Sequence, residues 1–366
     1  MLKLDILFVG SFCYIDAYSF MSIFYVFLIL LALLFILVVS FTIYKKRIEY
    51  NKQLWHQTIA GLIRDAIFSD DEELSVETTE NIQTLLRKTG FRNCILNQLV
   101  KVKINLSGVS GQNLKKLYEL LNLDKDSNRK LNSSKGHIKA KGLQELAIME
   151  QVKYVKKIFK LTNSTNELVR NEAQCALVSF HGFLGLRFLN VTTYPISQWQ
   201  QIQLLNKLNK MTAANFEPIK KWLQSSNESV IIFSLKLAAY YNCNNMHTDI
   251  INCMQSASQE VKLCALKYFK KMPDEACIEQ IISHYFSADK MYKLALLDAL
   301  ITIGTQKQIP FILSQLQNND DEIKSAAATC ISQLHPSGAA FLQTHYFADV
   351  NPWKAIFLQI KNNRAA

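Results

Sequence analysis

Asn166-Glu-Leu-Val-Arg-Asn-Glu-Ala-Gln-Cys-Ala-Leu177 is a phrase that recurs down the chain. A polar pair opens it, the β-branched Val169 follows, and the small Ala173 comes four residues later. Aligned on Val169, the equivalent positions are Ile138, Val169, Trp199, Val230, Val261, Met291 and Ile323, at steps of 31, 30, 31, 31, 30 and 32 residues. Self-similarity at such a period is the signature of a stacked-helix repeat architecture.

Four residues beyond each register position lie Gly142, Ala173, Gln203, Ser234, Ala265, Ala295 and Ala327, all small except Gln203. A bulky residue anchors the start of a helix, and a small residue one turn later lets a neighbouring helix come close. Asn166, Asn227, Ser258, Asp289 and Asp320 precede their register positions and suit helix N-caps. Between register points there is room for a second helix, such as Glu275 to Tyr285 after Pro273-Asp274, or Gln306 to Gln317 after Gly304. Each unit is then a helical pair too small to bury its own apolar face, stable only when stacked. The Trp199 unit is the degenerate one, because Gln203 stands where a small residue belongs.

Outside this array one segment dominates. Ala17 to Tyr44 carries no charge and contains the run Ile23-Phe-Tyr-Val-Phe-Leu-Ile-Leu-Leu-Ala-Leu-Leu-Phe-Ile-Leu-Val-Val39. A run apolar on every side and longer than about 20 residues spans a bilayer as a helix. It is too long for a signal-peptide core, and no basic cluster precedes it. Lys45, Lys46 and Arg47 flank its C-terminal end, whereas the N-terminal side carries Asp5 and Asp16 against Lys3. The positive-inside rule therefore places the long C-terminal part in the cytoplasm of an inner or plasma membrane protein. Eight cysteines with no Cys-x-x-Cys pair fit a reducing compartment. Cys175, Cys264 and Cys330 sit in apolar helical phrases as small core residues.

Only 11 glycines and 6 prolines punctuate 366 residues, which favours helix over sheet. From Ile48 to Phe68, Trp55, Ile59, Leu62, Ile63, Ala66 and Ile67 keep helical spacing and read as the first packing helix of the region after the anchor. Asp70-Asp71-Glu72-Glu73 reads as a linker or helix start, and helices are expected over Val76–Lys88, stopped by Gly90, and Arg92–Ile104. Ser107 to Gly111 reads as a loop, Asn113 to Leu121 as a helix, and polar Asp124 to Gly136 as a separator. Trp353, Ile356, Phe357 and Ile360 would line a capping helix, leaving Lys354, Lys361 and Arg364 to water.

The phrase at Asn166, with Ser258-Gln-Glu-Val-Lys-Leu-Cys-Ala-Leu and Asp320-Asp-Glu-Ile-Lys-Ser-Ala-Ala-Ala, resembles the start of a HEAT repeat. It is closest in length to the roughly 30-residue repeats of bacterial HEAT-like and phycobilin-lyase-like proteins. The resemblance covers residues 133–340. It implies an all-α fold, a right-handed α-solenoid of stacked hairpins that binds proteins along an extended face. Ile231 and Tyr292 replace the basic residue usual after the register position, so the basic ladder is incomplete. The expected domains are a short outer segment at 1–18, a transmembrane helix at 19–44, and juxtamembrane helices with an N-terminal cap at 45–132. The repeats follow at 133–340 and a C-terminal capping helix at 341–366.

Motifs for catalysis are missing from the sequence: no His-Glu-x-x-His, no Walker A, no Gly-x-Gly-x-x-Gly and no Gly-x-Ser-x-Gly. Cys243, His247 and Cys253 form the one group with ligand chemistry, but Cys253 lies in an apolar phrase and their spacing is irregular, so no metal or cofactor is expected. The net charge of +11 is dispersed. The short runs Lys153-Tyr-Val-Lys-Lys157 and Lys267-Tyr-Phe-Lys-Lys271 make no concentrated stripe, so nucleic acid is not the expected partner. The expectation is a membrane-anchored scaffold or regulatory protein, not an enzyme, which binds another protein such as a membrane glycosyltransferase. The alternatives are a lyase-like or DNA glycosylase-like HEAT enzyme, or a module binding anionic lipid or nucleic acid.

Overall fold

The computed structural model describes residues 17–69, 80–208, 216–346 and 350–365. Among the described residues the regular elements are all helical, and there is no strand. The readings of residues 1–16, of Asp70 to Glu73 and of 76–79 lie outside the described residues. The chain divides into two compact units, 1–126 and 127–366.

In the first unit, α1 is one helix from Ala17 to Phe68. Its 52 residues extend about 78 Å at the α-helical rise. Residues 21–46 are exposed throughout, and the helix is long and apolar enough to cross a membrane. Its C-terminal third behaves differently, because Ile59, Leu62, Ile63 and Ala66 are buried. Helix α2 spans Glu80–Leu86, α3 spans Thr89–Asn105 and α4 spans Gly108–Leu120. The apolar face of α1 packs on α3 and α4, where Phe91, Ile95, Leu99, Leu114 and Leu117 are buried. Trp55 meets Phe91 edge to face at 5.9 Å. The open carbonyls at the end of α1 are satisfied from α4, by Ser110 on Ile67 O at 3.3 Å and Asn113 on Ser69 O at 3.0 Å.

Two boundaries differ from the sequence reading. Gly90 does not stop a helix; it lies in the first turn of α3, where the Trp55 ring would stand 3.2 Å from any added Cβ. Residues 107–111 are not an open loop, since α4 starts at Gly108, whose φ of +70° a glycine adopts without strain. The polar stretch expected as a separator contains a helix as well, α5 at Asp124–Leu131. Its acidic first turn and basic last turn complement the helix dipole.

The second unit continues with α6 at Gly136–Ile148, α7 at Val155–Phe159, α8 at Glu167–His181 and α9 at Gln198–Leu208. Then come α10 at Glu217–Trp222, α11 at Glu228–Tyr240, α12 at His247–Cys253, α13 at Gln259–Lys271 and α14 at Glu275–Ser283. The last are α15 at Lys290–Ile303, α16 at Ile309–Gln315, α17 at Asp321–Leu334, α18 at Gly338–His345 and α19 at Trp353–Ala365. The longer helices pack on one another in chain order: α6 on α8, α8 on α9, α11 on α13, α13 on α15 and α15 on α17. The shorter helices α7, α10, α12, α14 and α16 each pack on the long helix that follows. One hydrophobic core runs from Leu131 to Ile360 through these contacts. Helix α19 covers α17 with Ile356 and Ile360 buried, while Lys354 and Lys361 face water.

Two glycines are demanded by close packing. A Cβ on Gly142 would stand 2.7 Å from Ser127 O and 2.8 Å from Leu131 N, so α6 approaches α5 backbone to backbone. Gly185 lies in the 3-10 stretch Gly182–Asn190 that replaces a second helix after α8, and its Cβ would meet Leu177 O at 2.3 Å.

Candidate functional site

The long helices present one repeated face, and their caps set its phase. Asn166 accepts Val169 N–H at 3.1 Å, Ser197 accepts Gln200 N–H at 3.2 Å, and Asp289 accepts Tyr292 N–H at 2.9 Å. Asn227 accepts Ser229 N–H at 3.1 Å, and Asp320 accepts Glu322 N–H at 2.9 Å. Ser258 heads α13 without a side-chain cap bond. Three residues after each cap sits a buried residue: Val169, Gln200, Val230, Val261, Tyr292 and Ile323. Their steps are 31, 30, 31, 31 and 31 residues.

This corrects two register positions. Trp199 and Met291 are 67% and 63% exposed, and their neighbours Gln200 and Tyr292 turn inward at 1% and 0%. Alignment on apolar character chose the wrong member of each pair, because α9 fills its inward place with a polar side chain. The Gln200 amide is satisfied there by Asn171 O at 3.0 Å. Ile138 is half-buried at the start of α6. In the corrected phase the position four residues on is Leu204 in α9 and Leu296 in α15, but Ala173, Ser234, Ala265 and Ala327 elsewhere, all buried. The basic position after the inward residue is then Arg170, Gln201, Ile231, Lys262, Lys293 and Lys324. Lys293 thus fills the place that Tyr292 had seemed to vacate. Arg170 is buried, with its guanidinium 4.6 Å over the Tyr194 ring and 2.8 Å from Ser164 O.

Clefts open between successive long helices. One of about 660 Å³ lies between α9 and α11 and includes Gln201, Asn227, Ile232 and Glu260. Polar bonds bridge it: Lys236 donates to Gln201 at 2.7 Å and Ile196 N–H to Ser229 at 2.8 Å. A cleft of about 310 Å³ between α11 and α13 shares Ile232 and Glu260 with the first. The next, about 270 Å³ between α13 and α15, is lined by Lys267, Met291 and Ala295. A fourth of about 380 Å³ lies among α15, α17 and α19, with Leu294, Ala326 and Ile356. Some of the charges beside these clefts are matched. Lys270 pairs with Asp298 at 2.6 Å, and Lys290 with Asp320 at 2.8 Å and Glu322 at 3.1 Å.

The structure redistributes the Cys243, His247 and Cys253 group. Cys253 is buried, its thiol donating to Leu223 O at 3.8 Å and Asp249 O at 3.5 Å, and burial pushes its pKa up to about 11. His247, at the start of α12, turns instead toward α14. Its Nδ1 lies 2.6 Å from Asp274 Oδ2, and the Cys277 thiol donates to the same oxygen at 3.1 Å. The three ligand atoms lie within 4.8 Å of one another, the geometry of a group able to hold a metal ion. Asp274 and Cys277 were missed in the sequence because they come from the following hairpin, 27 and 30 residues beyond His247. Burial, and then Asp274, push the Cys277 thiol up to about 12. Such a thiol is a poor nucleophile while it keeps its proton.

Lys45, Lys46 and Arg47 are exposed on α1 just after its uncharged run. Of the basic runs, Lys157 is held by Asn128 at 2.7 Å and Lys271 bonds Ala239 O.

No protein-family model matches the sequence, and neither does any curated protein. Among solved structures the chain is similar to two engineered proteins known from crystal structures. One is 14% identical with a TM-score of 0.36, covering 83% of this chain and 98% of the other. The second is 13% identical with a TM-score of 0.25, covering 71% and 98%. At such scores neither likeness assigns a fold or a function.

Proposed function

We propose that the chain is a membrane-anchored scaffold whose helical array binds another protein along the α9 to α17 face. In this reading the second unit is a right-handed, HEAT-like α-solenoid of stacked hairpins. Helix α1 crosses the plasma membrane once, and Lys45, Lys46 and Arg47 hold the array on the cytoplasmic side.

The observation that carries the proposal is the run of clefts on the long helices α9 to α15, where each shares lining residues with the next, followed by a separate cleft on α15, α17 and α19. A row of part-apolar clefts suits an extended polypeptide surface better than one small molecule. Trp199 and Ile202, at i and i+3 on α9, are exposed apolar side chains of the kind that anchor protein interfaces. The pairing of Lys270 and Lys290 with carboxylates leaves fewer cations to neutralise phosphates, which favours a protein over a nucleic acid. A membrane-bound enzyme, such as a glycosyltransferase, is a partner that the anchor would bring within reach.

Copurification from detergent-solubilised membranes tests the proposal. The full chain is expected to retain a stoichiometric partner, and Trp199→Ala with Ile202→Ser to release it. A chain that purifies alone and monomeric contradicts the scaffold reading.

A further inference from the structure

The geometry points to a zinc-type metal site built from His247 Nδ1, Asp274 Oδ2 and Cys277 Sγ, stapling α12 to α14. Imidazole, carboxylate and thiolate are the ligands Zn²⁺ takes in tetrahedral sites, and three protein ligands leave a fourth position for water. Here the three come from two consecutive short helices that pack on each other.

The hydrogen bonding around His247 supplies an independent reason. Its Nε2 is buried without a hydrogen-bond partner, and its ring packs by the rings of Tyr268 and Phe269, at centroid distances of 5.6 and 5.7 Å. If Nδ1 carries the proton toward Asp274, the Nε2 lone pair is buried unsatisfied. If Nε2 carries it, the Nδ1 lone pair faces a carboxylate at 2.6 Å. A doubly protonated ring leaves a buried Nε2–H donor with no acceptor. Each metal-free arrangement therefore leaves one buried group poorly matched.

A cation relieves the Nδ1 side of this conflict. Nδ1 and Oδ2 both turn their lone pairs to the ion in place of meeting each other, while the buried Nε2–H stays without a hydrogen-bond partner, as in the protonated metal-free ring. The Cys277 thiol gives its proton to solvent and binds as thiolate. One Zn²⁺ with Asp274 and Cys277 as anions then makes a neutral site, which suits its partial burial. Ligand atoms around tetrahedral zinc stand about 3.3 to 3.6 Å apart. His247 and Asp274 would separate by less than about 1 Å from their present contact to reach this. The cap of α14 survives that shift, because Asp274 holds Ala276 N–H at 3.0 Å through its other oxygen, Oδ1.

The test uses the reduced full chain in detergent, titrated with Zn²⁺ against a colorimetric chelator and with Co²⁺ by absorption. One Zn²⁺ per chain is expected, with a thiolate-to-Co²⁺ charge-transfer band. Cys277→Ser should abolish the band and weaken Zn²⁺ at least about tenfold, as expected for loss of a first ligand. Cys253→Ser should leave both unchanged, and Zn²⁺ should raise the melting temperature of the wild type but not of Cys277→Ser. Asp274→Asn retains Oδ1 for the cap and should also bind weakly, which separates ligation from folding. A wild-type chain that takes up no stoichiometric Zn²⁺ overturns the site, as does a charge-transfer band that survives Cys277→Ser.

Discussion

Asp289 accepts the backbone N–H of Tyr292 at 2.9 Å, and this short step from cap to ring sets the phase of α15. The Tyr292 ring goes into the core, where its hydroxyl donates to Ile281 O at 3.4 Å, while Met291 is left on the cleft face. Tyr292→Ala should therefore cost about 3 to 5 kcal/mol, in the range of large buried aromatics. Met291→Ala should change stability by no more than about 0.5 kcal/mol, and Asp289→Ala should cost about 1 kcal/mol. Denaturant unfolding of the three variants checks the order. Equal losses at Met291 and Tyr292 would place the register back on Met291.

The contact of α6 with α5 gives a second prediction. Gly142→Ala puts a methyl against Ser127 O and Leu131 N, both backbone atoms that cannot rotate away. A loss of about 1 to 3 kcal/mol is expected, as for overpacking elsewhere. Gly61→Ala, where nothing lies within 4 Å of the new Cβ, should be neutral or stabilising.

Glu145 is a buried carboxylate on α6, bonded to Lys130 Nζ at 2.6 Å and to Ser127 Oγ at 2.8 Å. Removing Lys130 alone leaves that charge with one neutral donor. Lys130→Ala should cost about 3 kcal/mol or more, and Lys130→Met with Glu145→Leu much less than the sum of the single changes. An additive double-mutant cycle would show that the pair is not coupled.

The acid limb of stability has a named contributor. The Lys290 ammonium bonded to Asp320 holds that carboxyl below its ordinary value of 3.8. A depressed carboxylate pKa stabilises the fold fully above 3.8, and the benefit is lost as pH falls through the lower folded value. Asp320→Asn should lower the melting temperature at neutral pH and lose less between there and pH values below 3.8. A variant that parallels the wild type through that range would remove Asp320 from the acid response.

Much of this architecture was legible in the sequence because caps and apolar positions are local signals. Asn166, Asp289 and Asp320 announce helix starts, and the uncharged run before Lys45 announces α1. The phase of α9 and α15 was not legible. Hydrophobicity separates Trp199 from Gln200 in the wrong direction, and Met291 from Tyr292 hardly at all. Helix α5 was hidden by its polarity, since Ser127 and Lys130 are satisfied by Glu145 from another helix. The Asp274 and Cys277 partners of His247 were hidden for the same reason, because packing of α12 on α14 brings them together.

Site-specific photo-crosslinking in native membranes tests the scaffold account most directly. A photoreactive residue is placed at Met291 or Lys267, which line the clefts, and for comparison at Gln280 or Lys307, exposed on α14 and in the turn before α16. The account predicts a discrete protein adduct from the first pair and none from the second. Adducts from neither pair, or equally from both, would contradict a docking face along α9 to α17.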